Sequence, residues 1–116
     1  MSWDISFLPE AQKDLYSLDG SVILLIRKAI KKVSVNPLPD YEGGYGKPLG
    51  NHHGLNLTGF LKIKLKDSGL RIVYMLVRTE TQMKIIVIGA RADEEVYEIA
   101  YKRKVKYFPD SDHDPE

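Results

Sequence analysis

Basic and aliphatic side chains alternate along residues 61–66. Lys62, Lys64 and Lys66 occupy every second position, so a β-strand here would carry three ammonium groups on one face and aliphatic side chains on the other. Like charges on one face repel each other, which a purely structural sheet does not favour. The pattern therefore indicates either a binding face for a polyanion or the solvated face of a half-buried sheet.

Two arginines and a tyrosine extend this basic set. Arg71 follows the Asp-Ser-Gly turn 67–69 into a second strand, Arg91 ends a third strand, and Tyr97 lies on the helix predicted after it. An antiparallel arrangement can bring these side chains to the surface that carries the lysines. Arg can grip a phosphate with two N–H groups, Lys supplies a point charge, and Tyr can stack on a base. The set has no paired carboxylate, no nucleophilic cysteine and no metal-ligand spacing, so neither a metal ion nor a cofactor is expected.

The elements that must position this set follow from hydrophobic periodicity. A short strand, a helix that begins at Pro9 and a second helix with an apolar stripe are predicted before the basic strands. The basic stripe of the second helix is interpreted either as a solvated face or as a contact to nucleic acid. The order β-α-α-β-β-β-α predicts an α+β fold, a small antiparallel sheet with two N-terminal helices packed on it and a C-terminal helix. The predicted ranges are 4–8, 9–18, 22–35, 61–66, 70–77, 84–91 and 93–104.

Composition and charge are those of one globular domain with an acidic end. The chain has 116 residues, no cysteine and a formal net charge of +1. Residues 1–106 contain all 17 Lys and Arg but 12 of the 16 acidic residues, a net charge of +5. Residues 107–116 are predicted to be a disordered acidic tail. The sequence shows neither a signal segment nor an apolar run of bilayer length, so a cytoplasmic protein that binds nucleic acid is expected.

The segment 36–58 is rich in Gly, Pro, Asn and His. Such a length is unusual for a featureless loop, so part of it is expected to be ordered against the core or functional. His52 and His53 lie within it, but adjacent histidines do not easily face one point, and a surface-loop position is the preferred interpretation.

At these motifs the sequence resembles the RelE branch of the RelE/ParE superfamily, the toxins of bacterial type II toxin–antitoxin modules. The resemblance covers about residues 3 to 105, and residues 1–106 are identified as the RelE-like toxin domain. The segment 47–50 is similar to the loop that precedes the hairpin in the family. The resemblance is carried by Lys62-Ile63-Lys64-Leu65, Ser68-Gly69-Leu70-Arg71-Ile72-Val73-Tyr74, Val87-Ile88-Gly89-Ala90-Arg91, Glu95-Val96-Tyr97 and Lys102-Arg103.

The resemblance implies a metal-independent endoribonuclease that cuts mRNA codons in the ribosomal A site and inhibits translation. In the family the RNA 2′-OH attacks the adjacent phosphate and leaves a cyclic phosphate and a 5′-OH. Lys62 and Lys64 would stabilise charge and help to activate the 2′-OH. Arg71 would hold the phosphate, and Arg91 would stabilise or protonate the leaving 5′-oxygen. Tyr97 would stack on the nucleotide or orient it.

Partners and alternatives follow from the same resemblance. The expected partners are a cognate antitoxin, mRNA and the ribosome, whose A site would hold the message; no membrane is expected, and operator DNA is reached only through the antitoxin complex. Lys66, Lys102 and Arg103 are predicted RNA contacts outside the catalytic set.

Two alternative functions remain open on the same fold: a ParE-like gyrase-inhibiting toxin and a catalytically inactive RNA-binding or regulatory domain. ParE-like chains generally lack the full basic set, which argues against the first.

Overall fold

The computed structural model describes residues 2–52, 54–66, 68–89 and 93–109. Over these ranges the chain forms three α-helices and one five-stranded sheet, which confirms the predicted α+β class. None of the described helices is both long enough and apolar enough to cross a bilayer. The elements in chain order are β1 (Asp4–Phe7), α1 (Pro9–Tyr16), α2 (Gly20–Val33), β2 (Lys47–His52), β3 (Leu55–Lys64), β4 (Arg71–Val77), β5 (Gln82–Gly89) and α3 (Asp93–Tyr107).

The sheet has the strand order β1-β5-β4-β3-β2. Strands β2 to β5 pair antiparallel, whereas β1 pairs parallel with β5, the last strand in the chain. Helices α1 and α2 carry the chain from β1 to β2 at the opposite edge of the sheet. Strand β2 is an addition to the predicted order. It contains Pro48 and Gly50, and its pairing with β3 shifts register between them, which an edge strand tolerates. Because these residues interrupt any alternation of polar and apolar side chains, the strand could not be recognised in the sequence.

Helix α1 begins at Pro9 as predicted, whereas α2 begins at Gly20, two residues before its predicted start. Pro9 opens α1 and Glu10 lies in its first turn, where a carboxylate favours the positive end of the helix dipole. The helix buries Ala11 and Leu15 at its apolar positions. In α2 the buried residues are Ile26, Ile30 and Val33, which recur at helical spacing.

The segment 36–46 is held against the sheet by a buried tyrosine. The Tyr74 hydroxyl donates a hydrogen bond to the carbonyl of Pro37 at 2.8 Å, and burial raises the pKa of Tyr74, so the donor stays protonated. A side chain at Gly46 would collide with the Tyr74 hydroxyl and crowd Leu61. The Gly- and Pro-rich segment is therefore fixed where it enters β2.

Helix α3 is tied to β3 and to the exposed edge of β5. Lys104 is 1% exposed and donates from Nζ to the carbonyl of Asn56 at 2.7 Å. Arg103 donates to the Asp14 carboxylate at 2.7 Å and to the carbonyl of Ile86 at 2.8 Å. Strand β1 pairs with β5 only as far as Ile85, so these contacts cover backbone groups that β1 leaves open.

The C-terminal end of α3 extends past the predicted domain boundary at residue 106. Tyr107 is the last helical residue, and its hydroxyl donates to Glu10 Oε1 at 2.6 Å. Phe108 packs against the core. Residues 110–116 lie outside the described ranges, so the disorder of the acidic tail stays a prediction.

Candidate active site

Strand pairing places Lys62, Lys64 and Arg71 on one face of the sheet. Residues that are paired across neighbouring strands point to the same side. One row consists of Lys62 and Val73 with the flanking residues Lys47 and Val87, and the next consists of Lys64, Arg71 and Gly89. We call Lys47, Lys62, Lys64 and Arg71 the basic face.

Tyr97 of α3 fixes the direction of Lys62. The ammonium nitrogen of Lys62 donates to the Tyr97 hydroxyl at 2.8 Å and lies 5.6 Å from the ring centroid. These two distances put the nitrogen beyond the hydroxyl, close to the line of the C–O bond, and not over the ring face. The contact is therefore a hydrogen bond that orients a half-buried lysine, and the Lys104 contact to Asn56 secures the helix that provides it.

The ring of Tyr97 is 1% exposed, which bears on the role predicted for it. A buried ring offers no open face for a base, so stacking on the nucleotide does not fit this arrangement. The second predicted role, orientation, fits the hydrogen bond to Lys62, although the structure shows it for the lysine and not for the nucleotide.

Lys64 and Arg71 lie directly opposite each other next to the hairpin turn. Lys64 is exposed and Arg71 is half-buried, and the Arg71 Nη1 donates to the carbonyl of Gly69 at 2.7 Å. Gly69 has a φ of 72°, the left-handed conformation predicted for it. Paired cations repel, so the backbone of the hairpin must hold them together against that repulsion.

The remaining predicted residues are not gathered into this face by the described contacts. Arg91 and His53 lie outside the described residues, as does the side chain of His52. Lys66 is exposed in the turn beyond β3, and Lys102 is exposed on α3.

Arg103 has a role different from the predicted RNA contact. Its side chain is 15% exposed, and its guanidinium holds the Asp14 carboxylate and the Ile86 carbonyl, as described above. Removal of these partners would leave a partly buried charge uncompensated, so Arg103 has a structural role, and its contact to RNA stays a prediction.

Lys47 is the member of the basic face that the sequence did not indicate. Its segment is predicted to be a loop, because Pro48 and Gly50 interrupt any alternation. Only the pairing of β2 with β3 brings Lys47 opposite Lys62, and no local signal in the sequence reveals that register.

Cations that are fixed before a ligand arrives can stabilise charge that develops on a phosphate. Their geometry costs no reorganisation during a reaction, which makes electrostatic stabilisation a large catalytic contribution. In the described basic face, Lys64 and Arg71 lie at one end and Lys62, oriented by Tyr97, lies beside them.

No protein-family model matches the chain. In sequence it is similar to the mRNA interferase toxin RelE of Escherichia coli, with 28% identity over 103 residues, covering 89% of this chain and 98% of the relative. In structure it is similar to a mutant of the E. coli toxin RelE in the free state, with a TM-score of 0.67, 26% identity and coverage of 89% and 98% of the two chains.

A second solved structure contains the E. coli RelE mutant in complex with a peptide of the antitoxin RelBc. The TM-score is 0.62 at 25% identity, with coverage of 86% of this chain and 95% of the toxin chain. The relatives are thus matched over nearly their whole length, with the same arrangement of helices and sheet. In sequence and in fold the chain is therefore similar to RelE-type toxins.

Proposed function

We propose that this protein is the toxin of a type II toxin–antitoxin module and that it cuts mRNA in the ribosomal A site. The observation that carries the proposal is the basic face, on which Lys64 pairs with Arg71 and Lys62 is oriented by Tyr97. The similarity to an mRNA interferase toxin supports the same reaction. The ribosome as a partner implies that the protein acts in the cytoplasm.

In this reaction the RNA 2′-oxygen attacks the adjacent phosphorus and the bond from phosphorus to the 5′-oxygen breaks. The 2′-hydroxyl loses its proton and the leaving 5′-oxygen gains one, so the products are a cyclic phosphate and a 5′-hydroxyl. Lys64 and Arg71 stabilise the negative charge on the phosphate oxygens. Lys62, held by Tyr97, binds beside them and favours the ionised 2′-oxygen.

Arg91 completes the catalytic set in this proposal. An arginine side chain holds its proton very tightly, which makes arginine a poor proton donor. Arg91 therefore contributes charge stabilisation at the leaving oxygen. The ribosome provides much of the substrate alignment, since the set consists of lysines, arginines and a tyrosine and contains neither a histidine nor a carboxylate.

A cognate antitoxin is the expected protein partner. The antitoxin complex of the E. coli RelE mutant supports this expectation, because that toxin shares the present fold. An antitoxin that covers the basic face or displaces α3 would block access to the cations. It would also disturb the contact between Tyr97 and Lys62.

The proposal is tested by induction in a bacterial host with mapping of mRNA 5′ ends on translated and untranslated messages. We expect cuts within codons of translated messages, lost by at least about a hundredfold in Lys64→Ala and Arg91→Ala. Lys13→Ala, which changes an exposed lysine on α1, is the matched control and should cut like the wild type.

Each alternative has its own signature in this experiment. DNA breaks with intact messages would indicate a gyrase-inhibiting toxin. Binding of RNA without cleavage would indicate an inactive RNA-binding domain. Full toxicity in both Lys64→Ala and Arg91→Ala, with normal expression, would remove the proposed site.

A further inference from the structure

Lys47 has a position that a purely structural strand would not favour. It is the first residue of β2, is exposed, and is paired with Lys62 across the two strands. Directly opposed side chains have Cβ atoms about 5 Å apart, so the two lysine side chains start from neighbouring points and bring two like charges to one face of the sheet. Their repulsion reduces the stability of the pair unless an anion lies between or beside them.

The backbone around Lys47 is fixed on both sides. Gly46 is buried where a side chain would collide with the Tyr74 hydroxyl, and Pro48 restricts the backbone after it. Leu61, the partner of Pro48, is part of the core. The backbone of Lys47 is therefore held in a fixed position, although its side chain is in solvent. A fixed origin limits the positions that its ammonium group can reach.

The neighbouring contacts make the two lysines different. Lys62 is half-buried and its ammonium group is directed to Tyr97, whereas Lys47 is exposed at the sheet edge. The edge of the basic face is where an RNA strand would enter or leave after passing Lys64 and Arg71. A flexible lysine there can hold a backbone phosphate without taking part in the chemistry.

We propose that Lys47 binds an RNA backbone phosphate next to the scissile one and so extends the cleavage site to the edge strand β2. The inference deepens the proposed function and rests on it. Phosphate contacts fix the register of a nucleic acid but carry no sequence information. Loss of Lys47 should therefore weaken binding of all messages alike and leave codon preference unchanged.

The test uses a single-stranded RNA with 2′-O-methyl groups at every position, which keeps the phosphates but lacks the attacking hydroxyl. Fluorescence anisotropy over a sodium chloride series gives the slope of log affinity against log salt. For Lys47→Ala we expect about tenfold weaker binding at low salt and a slope reduced by about 0.7, the value for one phosphate on a single strand. Lys47→Arg should restore both values.

Two controls separate this role from a structural one and from a failure of the proposed function. Lys13→Ala should bind like the wild type. The melting temperature of RNA-free Lys47→Ala should be unchanged or higher, because a like-charge pair has been removed. An unchanged salt slope, or no RNA binding by the wild type, would overturn the inference. Normal binding by a wild type that cuts no message would instead remove the proposed function.

Discussion

At the scale of single residues, the Tyr97 hydroxyl decides where Lys62 can point. An unrestrained lysine samples many rotamers, and its charge is then spread over a wide region of solvent. The 2.8 Å hydrogen bond to a buried phenol selects one direction, so the charge is in place before a phosphate arrives. The catalytic contribution of the tyrosine in this account comes from its oxygen and not from its ring.

Tyr97→Phe tests this role directly. The ring remains, so we expect the free energy of unfolding to fall by only about 1 kcal/mol, the value of one hydrogen bond. Cleavage of ribosome-bound message should slow by about tenfold to a hundredfold, because Lys62 loses its orientation. Single-turnover cleavage rates and urea unfolding measure the two effects. Tyr41→Phe, at a 75% exposed tyrosine, is the control and should match the wild type. A cleavage rate in Tyr97→Phe equal to the wild-type rate would contradict the role.

At the scale of elements, the junction between the segment 36–46 and β2 holds one edge of the basic face. Gly46 fits under Tyr74 because it has no side chain, and Lys47 follows it immediately. The hydrogen bond from Tyr74 to Pro37 closes the same junction from the other side. A change in packing at this junction should reach the site through the backbone of β2.

Gly46→Ala should destabilise the protein by about 1–3 kcal/mol, since the added methyl group must displace the Tyr74 hydroxyl or Leu61. Gly20→Ala is the matched control. Gly20 begins α2 and has open space where a side chain would lie, so alanine should be neutral or stabilise by up to about 1 kcal/mol. Urea unfolding of both variants gives the comparison. Equal midpoints for the two would show that the junction is not tightly packed.

Most of the helices and strands could be predicted from the sequence. The helices and the C-terminal half of β3 have clear periodicity, and β4 and β5 are apolar runs bounded by turns, so the α+β class follows from local pattern. The cations Lys62, Lys64 and Arg71 reach one face because short hairpins fix register through the turn. Strand β2 carries Pro48 and Gly50, and its register depends on tertiary packing, so neither the strand nor the position of Lys47 could be predicted.

Burial is the other property that the pattern does not reveal. Arg103 stands in a basic run that resembles an RNA contact, yet its partners Asp14 and Ile86 come from distant parts of the chain. The sequence allows two roles for Tyr97, and only the packing of α3 distinguishes a buried ring from an exposed one.

At the scale of the whole molecule, Glu10 joins the start of the first helix to the end of the last one. Its carboxylate in the first turn of α1 accepts from the Tyr107 hydroxyl at 2.6 Å and from Lys106 Nζ at 2.9 Å, both in the last turn of α3. The hydrogen bond from Tyr107, followed by that from Lys106, lowers the pKa of Glu10 from 4.5 to about 2.

This lowered pKa predicts a specific dependence of stability on pH. In the unfolded chain Glu10 takes up a proton near pH 4.5, whereas the folded chain keeps it ionised to about pH 2. The stabilisation is therefore complete above about pH 5 and is lost as the pH falls towards 2. Glu10→Gln should melt at a lower temperature than the wild type at pH 7, and the gap should narrow between pH 5 and pH 2. A gap that stays constant over this range would contradict the assignment.

The excess of basic residues in the folded part and the basic face lead to the central claim, that this molecule cuts messages on the ribosome. The direct measurement incubates the purified protein with ribosomes that hold a defined codon in the A site, alongside the same message without ribosomes. We predict a cut within the A-site codon that leaves a cyclic phosphate and a 5′-hydroxyl, absent in Lys64→Ala and in the ribosome-free sample. An intact message on wild-type-treated ribosomes, or an equal cut in Lys64→Ala, would contradict the account.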